Sequence, residues 1–283
     1  MRSPRIGRRC PLQTYKSPSA LISLPWPLFS LYPSVFYNPI PLIIAIMAVS
    51  APNTGLYTPL TLYLYDKLVL YFNMGFAWNC STSKWLAPLF FENFSSNHLD
   101  IGVATGYFPA TALATSVDKH QRKQSLTLVD LDANSLHAAK QRVMENAPDT
   151  NVTCFQADAT VPPPAAIQSQ RFKSISMMNI LHCIPGPTSN KSAALKNYAS
   201  LLDDDGVFFG ATILGYDCEV AKELDRSWFC YYYMMLINWY GHFDNWEDGT
   251  EMVCDVLREV FEEVSTRTVG SILLFKARKP IRK

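Results

Sequence analysis

Beyond residue 98 the chain alternates between short apolar runs and longer amphipathic stretches. Runs at 99–102, 126–131, 152–156, 174–178 and 206–211 predict strands. Stretches at 108–116, 133–146 and 191–202 carry apolar residues at helical spacing and predict helices between those strands. Alternation of this kind predicts a mostly parallel sheet covered by helices. Upstream, Leu60, Tyr63, Leu64, Leu68 and Tyr71 predict an amphipathic helix over 56–72, with Thr58 as its cap and Pro59 in its first turn. A second helical region is expected over 78–94, capped by Ser81 or Ser83. Near the end, 251–260 predicts a helix with Met252, Val256 and Val260 on one side. Segments 261–268 and 271–277 flank Gly270 and predict a hairpin. Pro162, Pro163 and Pro164 mark a loop tip. Between the last parallel strand and the final helix lies an insertion at 211–249. It contains Trp228, Phe229, Tyr231, Tyr232, Tyr233, Trp239, Tyr240, Phe243 and Trp246. A run this aromatic can close one side of the domain and also line a pocket for a flat, apolar ligand.

The first 65 residues break this pattern. Their only charges are Arg2, Arg5, Arg8, Arg9 and Lys16, and the apolar run between Pro41 and Pro52 is too short to span a bilayer, which takes about 20 residues. Prolines at 18, 25, 27, 33, 39 and 41 interrupt helix formation. We therefore expect 1–46 to be an extension or targeting segment without stable membrane insertion. The expected folded domain is 47–283, made of lid helices at 56–94, a core at 98–215, the aromatic part of the insertion at 216–249, and a helix and hairpin at 250–278.

Composition narrows the function classes. Of 283 residues, 48% are hydrophobic, enough for a substantial core, and the net charge of +1 gives no bulk attraction to nucleic acid. The seven cysteines are scattered without a C-x-x-C pair, which argues against a zinc site and a disulfide framework. We expect reduced thiols, a cytoplasmic location and no metal. The sequence leaves a homodimer open.

Candidate chemistry begins at Asp100-Ile-Gly-Val-Ala-Thr-Gly106, where a strand should turn into a helix. Gly102 and Gly106 permit a tight turn and close backbone approach to a ligand. The following helix N-terminus offers free amides to an anionic group. Asp130 at the end of the next strand can accept both hydroxyls of a ribose. Asp158, after the third strand, can receive an adenine amino group. A nicotinamide dinucleotide is a poorer match, because Gly-x-Gly-x-x-Gly is absent.

These three acids and two glycines resemble the class I S-adenosylmethionine-dependent methyltransferases. The segments Leu181-His-Cys-Ile-Pro-Gly186 and Gly210-Ala-Thr-Ile-Leu-Gly215 are similar to small fungal and bacterial members of that family. The resemblance implies a Rossmann-like, doubly wound, seven-stranded α/β sheet with a C-terminal antiparallel hairpin and an N-terminal helical lid. It implies S-adenosyl-L-methionine as cofactor: Asp100, Gly102 and Gly106 at its methionine part, Asp130 at the ribose and Asp158 at adenine, with Ala104, Leu131, Ala159 and Asn179 also among the cofactor-binding residues. The family loop carries glycine at the position of Ala104, so its methyl crowds the site if the backbone there needs a positive φ. The expected activity is methylation of a small aromatic or polyketide-like metabolite in secondary-metabolite biosynthesis. The alternative is a cyclase or pericyclase that retains the cofactor fold without methyl transfer. A phenol or enol acceptor calls for a base. His182, next to the fourth strand, is the first candidate, and His242 in the aromatic insertion is the second.

Overall fold

The computed structural model describes residues 66–115, 124–218, 226 and 228–282. The expected extension at 1–46, Tyr57, Thr58, Pro59 and the rest of the helix up to residue 65 lie outside the described residues.

Two N-terminal helical segments come first: α1 (Asp66–Ala77) and α2 (Thr82–Leu86), which runs on into α3 (Ala87–Asn93). The core then alternates as β1 (Asn97–Ile101), α4 (Tyr107–Thr115), β2 (Ser125–Asp130), α5 (Ala133–Asn146), β3 (Asn151–Gln156), the short α6 (Ala165–Gln168), β4 (Phe172–Met178), α7 (Thr188–Ala199) and β5 (Leu202–Ile213). The insertion supplies α8 (Trp228–Trp239), and the chain closes with α9 (Thr250–Val260), β6 (Phe261–Val269) and β7 (Ile272–Pro280). The seven strands lie in the order β3-β2-β1-β4-β5-β7-β6, parallel from β3 to β5, with β7 antiparallel to both β5 and β6. The chain leaves β1 toward β2 and β3, then returns to lay β4 on the other side of β1. That reversal opens a crevice at the carboxyl ends of β1 and β4, where ligands of doubly wound sheets bind.

Apolar packing fixes both faces. One contains Leu99, Ile175, Leu195, Tyr198, Phe208 and Phe275 under α7 and α9. The other contains Trp78, Phe90, Phe108, Phe209, Tyr233 and Met234 under α1, α3, α4 and α8.

Three expectations shift. The helix α1 is wound with i→i+5 hydrogen bonds, as in Trp78 N–H donating to Asn73 O (3.0 Å), so its buried face is Leu70, Asn73, Met74 and Ala77 while Tyr71 is exposed. Ser81 precedes α2, but its hydroxyl pairs with Ser83 Oγ (3.1 Å) and does not cap the helix. In α9 the deepest residues are Val253, Cys254 and Leu257; Val256 joins them, with Met252 and Val260 half-buried at the margin.

Among the described residues, no helix is long and apolar enough to cross a membrane.

Candidate functional site

The crevice holds a cavity of about 160 Å³. Its wall is built from the glycine loop after β1, the loop after β4, the inner face of α1, and parts of α8 and the segment following it.

The glycine loop reverses on three left-handed residues: Gly102 (φ +74°), Ala104 (φ +46°) and Gly106 (φ +67°). Its close approaches are to protein. A Cβ on Gly102 would stand 2.7 Å from Ile180 Cδ1, and one on Gly106 would stand 2.7 Å from Ala139 Cα in α5. Ala104 sits on the cavity wall, and its N–H donates to Asp130 Oδ2 at 3.3 Å. Asp130 Oδ1 accepts the Asp132 N–H at 2.9 Å. Burial raises the Asp130 carboxyl to about 6. Asp100, buried at the end of β1, accepts the Ser176 hydroxyl; burial raises it to about 7, against the pull of that hydrogen bond.

Of the residues singled out in the sequence, the cavity wall brings together Asp100, Gly102, Ala104, Asn179, His182 and His242. Gly106, Asp130, Leu131, Asp158 and Ala159 are off that wall. Leu131 is 68% exposed just after β2, Ala159 is buried, and Asp158 Oδ1 accepts the Thr160 N–H and hydroxyl, each at 2.8 Å. Asn179 is also left-handed (φ +58°), and its backbone N–H donates to Ala211 O at 2.8 Å. Its side-chain amide is buried with neither end paired. An orphaned buried amide costs free energy, and a polar ligand seated in the cleft relieves that cost.

The far wall is aromatic. Trp78 lies 5.5 Å from Tyr233 and 6.2 Å from Phe243 between ring centroids, and Phe243 lies 4.3 Å from His182. Asn73 Nδ2 donates to the Tyr233 hydroxyl at 2.7 Å, while Asn73 Oδ1 is buried without a partner. Sequence reasoning missed this pair, because 160 residues separate its members and no local pattern joins them.

The two histidines differ. His182 Nδ1 accepts the Ile213 N–H at 3.2 Å, with Thr212 Oγ1 at 3.4 Å. Burial, helped by the nearby Lys191 charge, lowers its pKa to about 3. Its ring is therefore neutral with the proton on Nε2. Burial lowers the His242 pKa as well, but its Nδ1 is buried with no partner. The buried Lys191 ties this wall down by pairing with Asp248 Oδ2 at 2.5 Å and donating to Asp244 O; Asp244 N–H in turn donates to His182 O at 3.0 Å.

A left-handed glycine loop at the reversal point of a doubly wound sheet, with Asp100 in β1, Asp130 ending β2 and Asp158 after β3, is an arrangement that fits a nucleoside-cofactor enzyme of the methyltransferase class. Residues 99–208 match the family model described as a methyltransferase domain. The O-methyltransferase NEC2 of Pyricularia oryzae is 40% identical over 250 residues, covering 80% of this chain and 92% of that protein. The physcion biosynthesis cluster O-methyltransferase of Aspergillus chevalieri is 36% identical over 227 residues, covering 80% and 94%. Among solved structures, the DhpI–SAH complex superposes with a TM-score of 0.51 at 14% identity, over 85% of this chain and 98% of that one, a likeness of fold. The chain belongs to the class I S-adenosylmethionine-dependent methyltransferase family. It is an enzyme that uses S-adenosyl-L-methionine as its cofactor, and the orphaned Asn179 amide and buried Asp100 suit a polar, charged ligand in the cleft.

Proposed function

We propose that this enzyme methylates a phenolic or enolic oxygen on a small aromatic or polyketide-like metabolite, in secondary-metabolite biosynthesis. The observation that carries this reading is His242. It stands on an aromatic cavity wall with Nδ1 unpaired. When bound, the cofactor supplies an activated sulfonium methyl group. Asp100, Gly102 and Gly106 would hold its methionine part, Asp130 its ribose and Asp158 its adenine, with Ala104, Leu131, Ala159 and Asn179 beside it. Trp78, Tyr233 and Phe243 hold a flat acceptor and exclude water, and fixing the reacting groups in line contributes about 7–11 kcal/mol. His242 Nδ1 takes the acceptor's hydroxyl proton. His182 serves instead as a fixed Nε2–H donor, because Ile213 N–H already occupies its Nδ1 lone pair. The names of the two fungal relatives support oxygen as the methylated atom. The near-neutral charge supports a small-molecule partner rather than nucleic acid, and the scatter of the seven cysteines without a C-x-x-C pair is in keeping with a cytoplasmic location.

His242→Ala tests the assignment. Against a panel of phenols and hydroxypyrones, kcat should fall by about 10²- to 10⁴-fold with S-adenosylhomocysteine affinity unchanged. Activity within a few-fold of the wild type removes His242 as the base.

A further inference from the structure

A line of buried polar side chains runs beneath the cofactor loop. Strands β1 and β4 are parallel neighbours, with His98 opposite Ser174 and Asp100 opposite Ser176. The Ser176 hydroxyl bonds Asp100 Oδ1, His98 Nε2 is 2.9 Å from Ser176 Oγ, and His98 Nδ1 is 2.6 Å from Ser174 Oγ. Ser174 Oγ is 2.7 Å from Ser95 Oγ and accepts the Ser95 N–H at 3.0 Å. His98 is 0% exposed and packs among Phe90, Phe94 and Phe209 at centroid distances of 5.3, 4.8 and 6.0 Å. Polar groups are costly in such a place unless every one is paired. Here they are all paired, and the line connects half-buried Ser95 to an acid on the cofactor cavity.

The direction of these bonds follows from the proton inventory of the groups. An ionised carboxylate only accepts, so the Ser176 hydroxyl donates to Asp100. The Ser176 oxygen then takes the proton of His98 Nε2–H. A neutral imidazole has one N–H, so Nδ1 accepts from Ser174, and Ser174 accepts from Ser95. Burial, which lowers the His98 pKa to about 3, keeps the ring neutral. When Asp100 carries a proton, the whole line can reverse: Asp100 donates to Ser176, Ser176 to Nε2, Nδ1–H to Ser174, and Ser174 to Ser95. The Ser95 hydroxyl then donates to Asn97 O, which it meets at 2.9 Å. Both directions leave every group satisfied, and they differ in the His98 tautomer.

We propose that Ser176 and His98 are positioning residues for Asp100: in the forward direction they hold its carboxylate ionised and aimed at the cofactor's amino group, and His98 switches tautomer when Asp100 takes a proton. This rests on the assignment of Asp100 to the methionine part of the cofactor. Other titratable groups bear on Asp100 as well. Asp130 at the end of β2 disfavours its ionisation. His182, Cys183 and His242 share the cavity wall, and the Asp66–Arg142 ion pair is fastened to Thr105 of the loop.

Long-range ¹H–¹⁵N correlation spectra of ¹⁵N-histidine-labelled, cofactor-free protein read the tautomer directly, stepped from about pH 5 to 9. Calorimetry with S-adenosylhomocysteine over the same steps gives the affinity. The proposal requires His98 as the Nε2–H form at high pH and the Nδ1–H form at low pH, with the midpoint at which affinity falls. Ser176→Ala should raise the affinity midpoint by about one pH unit and uncouple the tautomer from it, since a hydrogen bond to the charged form is lost. Ser176→Thr keeps the hydroxyl and should restore both. A single His98 tautomer across the range, or an affinity midpoint that Ser176→Ala does not move, overturns the proposal. Asp100→Asn checks the cofactor assignment separately: full affinity in that variant also overturns it, while leaving methyl transfer as a reading intact.

Discussion

Replacing Ala104 by glycine should stabilise the protein. Ala104 is held at φ +46°, in the left-handed region, between two glycines that share it. A residue with a Cβ there costs about 1–2 kcal/mol. Glycine removes that strain but loses more freedom on folding, at a cost of about 0.5–1 kcal/mol. The balance favours Ala104→Gly by about 0.5–1 kcal/mol, or a rise in Tm of about 1–3 °C for a domain of this size. The backbone N–H to Asp130 is unaffected by the change. The methyl on the cavity wall disappears, so S-adenosylhomocysteine affinity should hold or improve. Thermal unfolding with and without S-adenosylhomocysteine, together with calorimetry, measures both quantities. Gly102→Ala is the opposing control: it adds a Cβ at φ +74°, 2.7 Å from Ile180, and should destabilise clearly. A lower Tm or weaker binding in Ala104→Gly would refute the reasoning. It would mean that the alanine methyl makes contacts worth more than its strain, and that this departure from the family loop is an adaptation.

Two further predictions concern charge. Lys191→Met leaves Asp248 largely buried without its cation, so we expect about 3–5 kcal/mol of destabilisation in denaturant unfolding; a loss below about 1 kcal/mol would show that the pair contributes little. The Asp100 carboxyl is raised to about 7 in the folded protein, so between its ordinary range near pH 4 and pH 7 the folded state keeps a proton that the unfolded state has released. Its contribution to stability therefore falls as pH rises through that window. Buried His98 and His182, with lowered pKa values, pull the opposite way below their ordinary range. The stability of the wild type minus that of Asp100→Asn isolates the acid, and that difference should decrease from about pH 4 to 7 in cofactor-free urea titrations. A flat or rising difference contradicts the assignment.

The alternating core was legible because each element carries its own signal. Helix α5 falls where expected, with Asp132 accepting the Asn134 N–H as its cap. The apolar run predicts strand β5 from Gly206. It starts at Leu202, where the backbone pairs with Phe172 across an irregularity in the ladder, and Arg282 binds Asp204. Tyr71, counted among the apolar positions of helix α1, is exposed, because the i→i+5 winding of α1 carries no distinctive spacing. On the cavity wall, Asp100, Gly102 and Asn179 are legible in the sequence because they lie at or just beyond strand ends. The Asn73–Tyr233 pair and the His98–Ser174–Ser176 line are not. Their partners lie 160 and 76–78 residues apart; the packing of α8 on α1 brings the first together, and the sheet order the second. Which ring nitrogen of His182 and His242 is already engaged also needed coordinates.

The central claim is that this cavity transfers a methyl group to an acceptor oxygen. The most direct test incubates the enzyme with methyl-labelled S-adenosylmethionine and a phenolic or enolic acceptor, and follows product and cofactor together. One S-adenosylhomocysteine should form per labelled methoxy product, and no product when S-adenosylhomocysteine replaces the donor. Product that forms with the demethylated cofactor, or without consuming any donor, would contradict it.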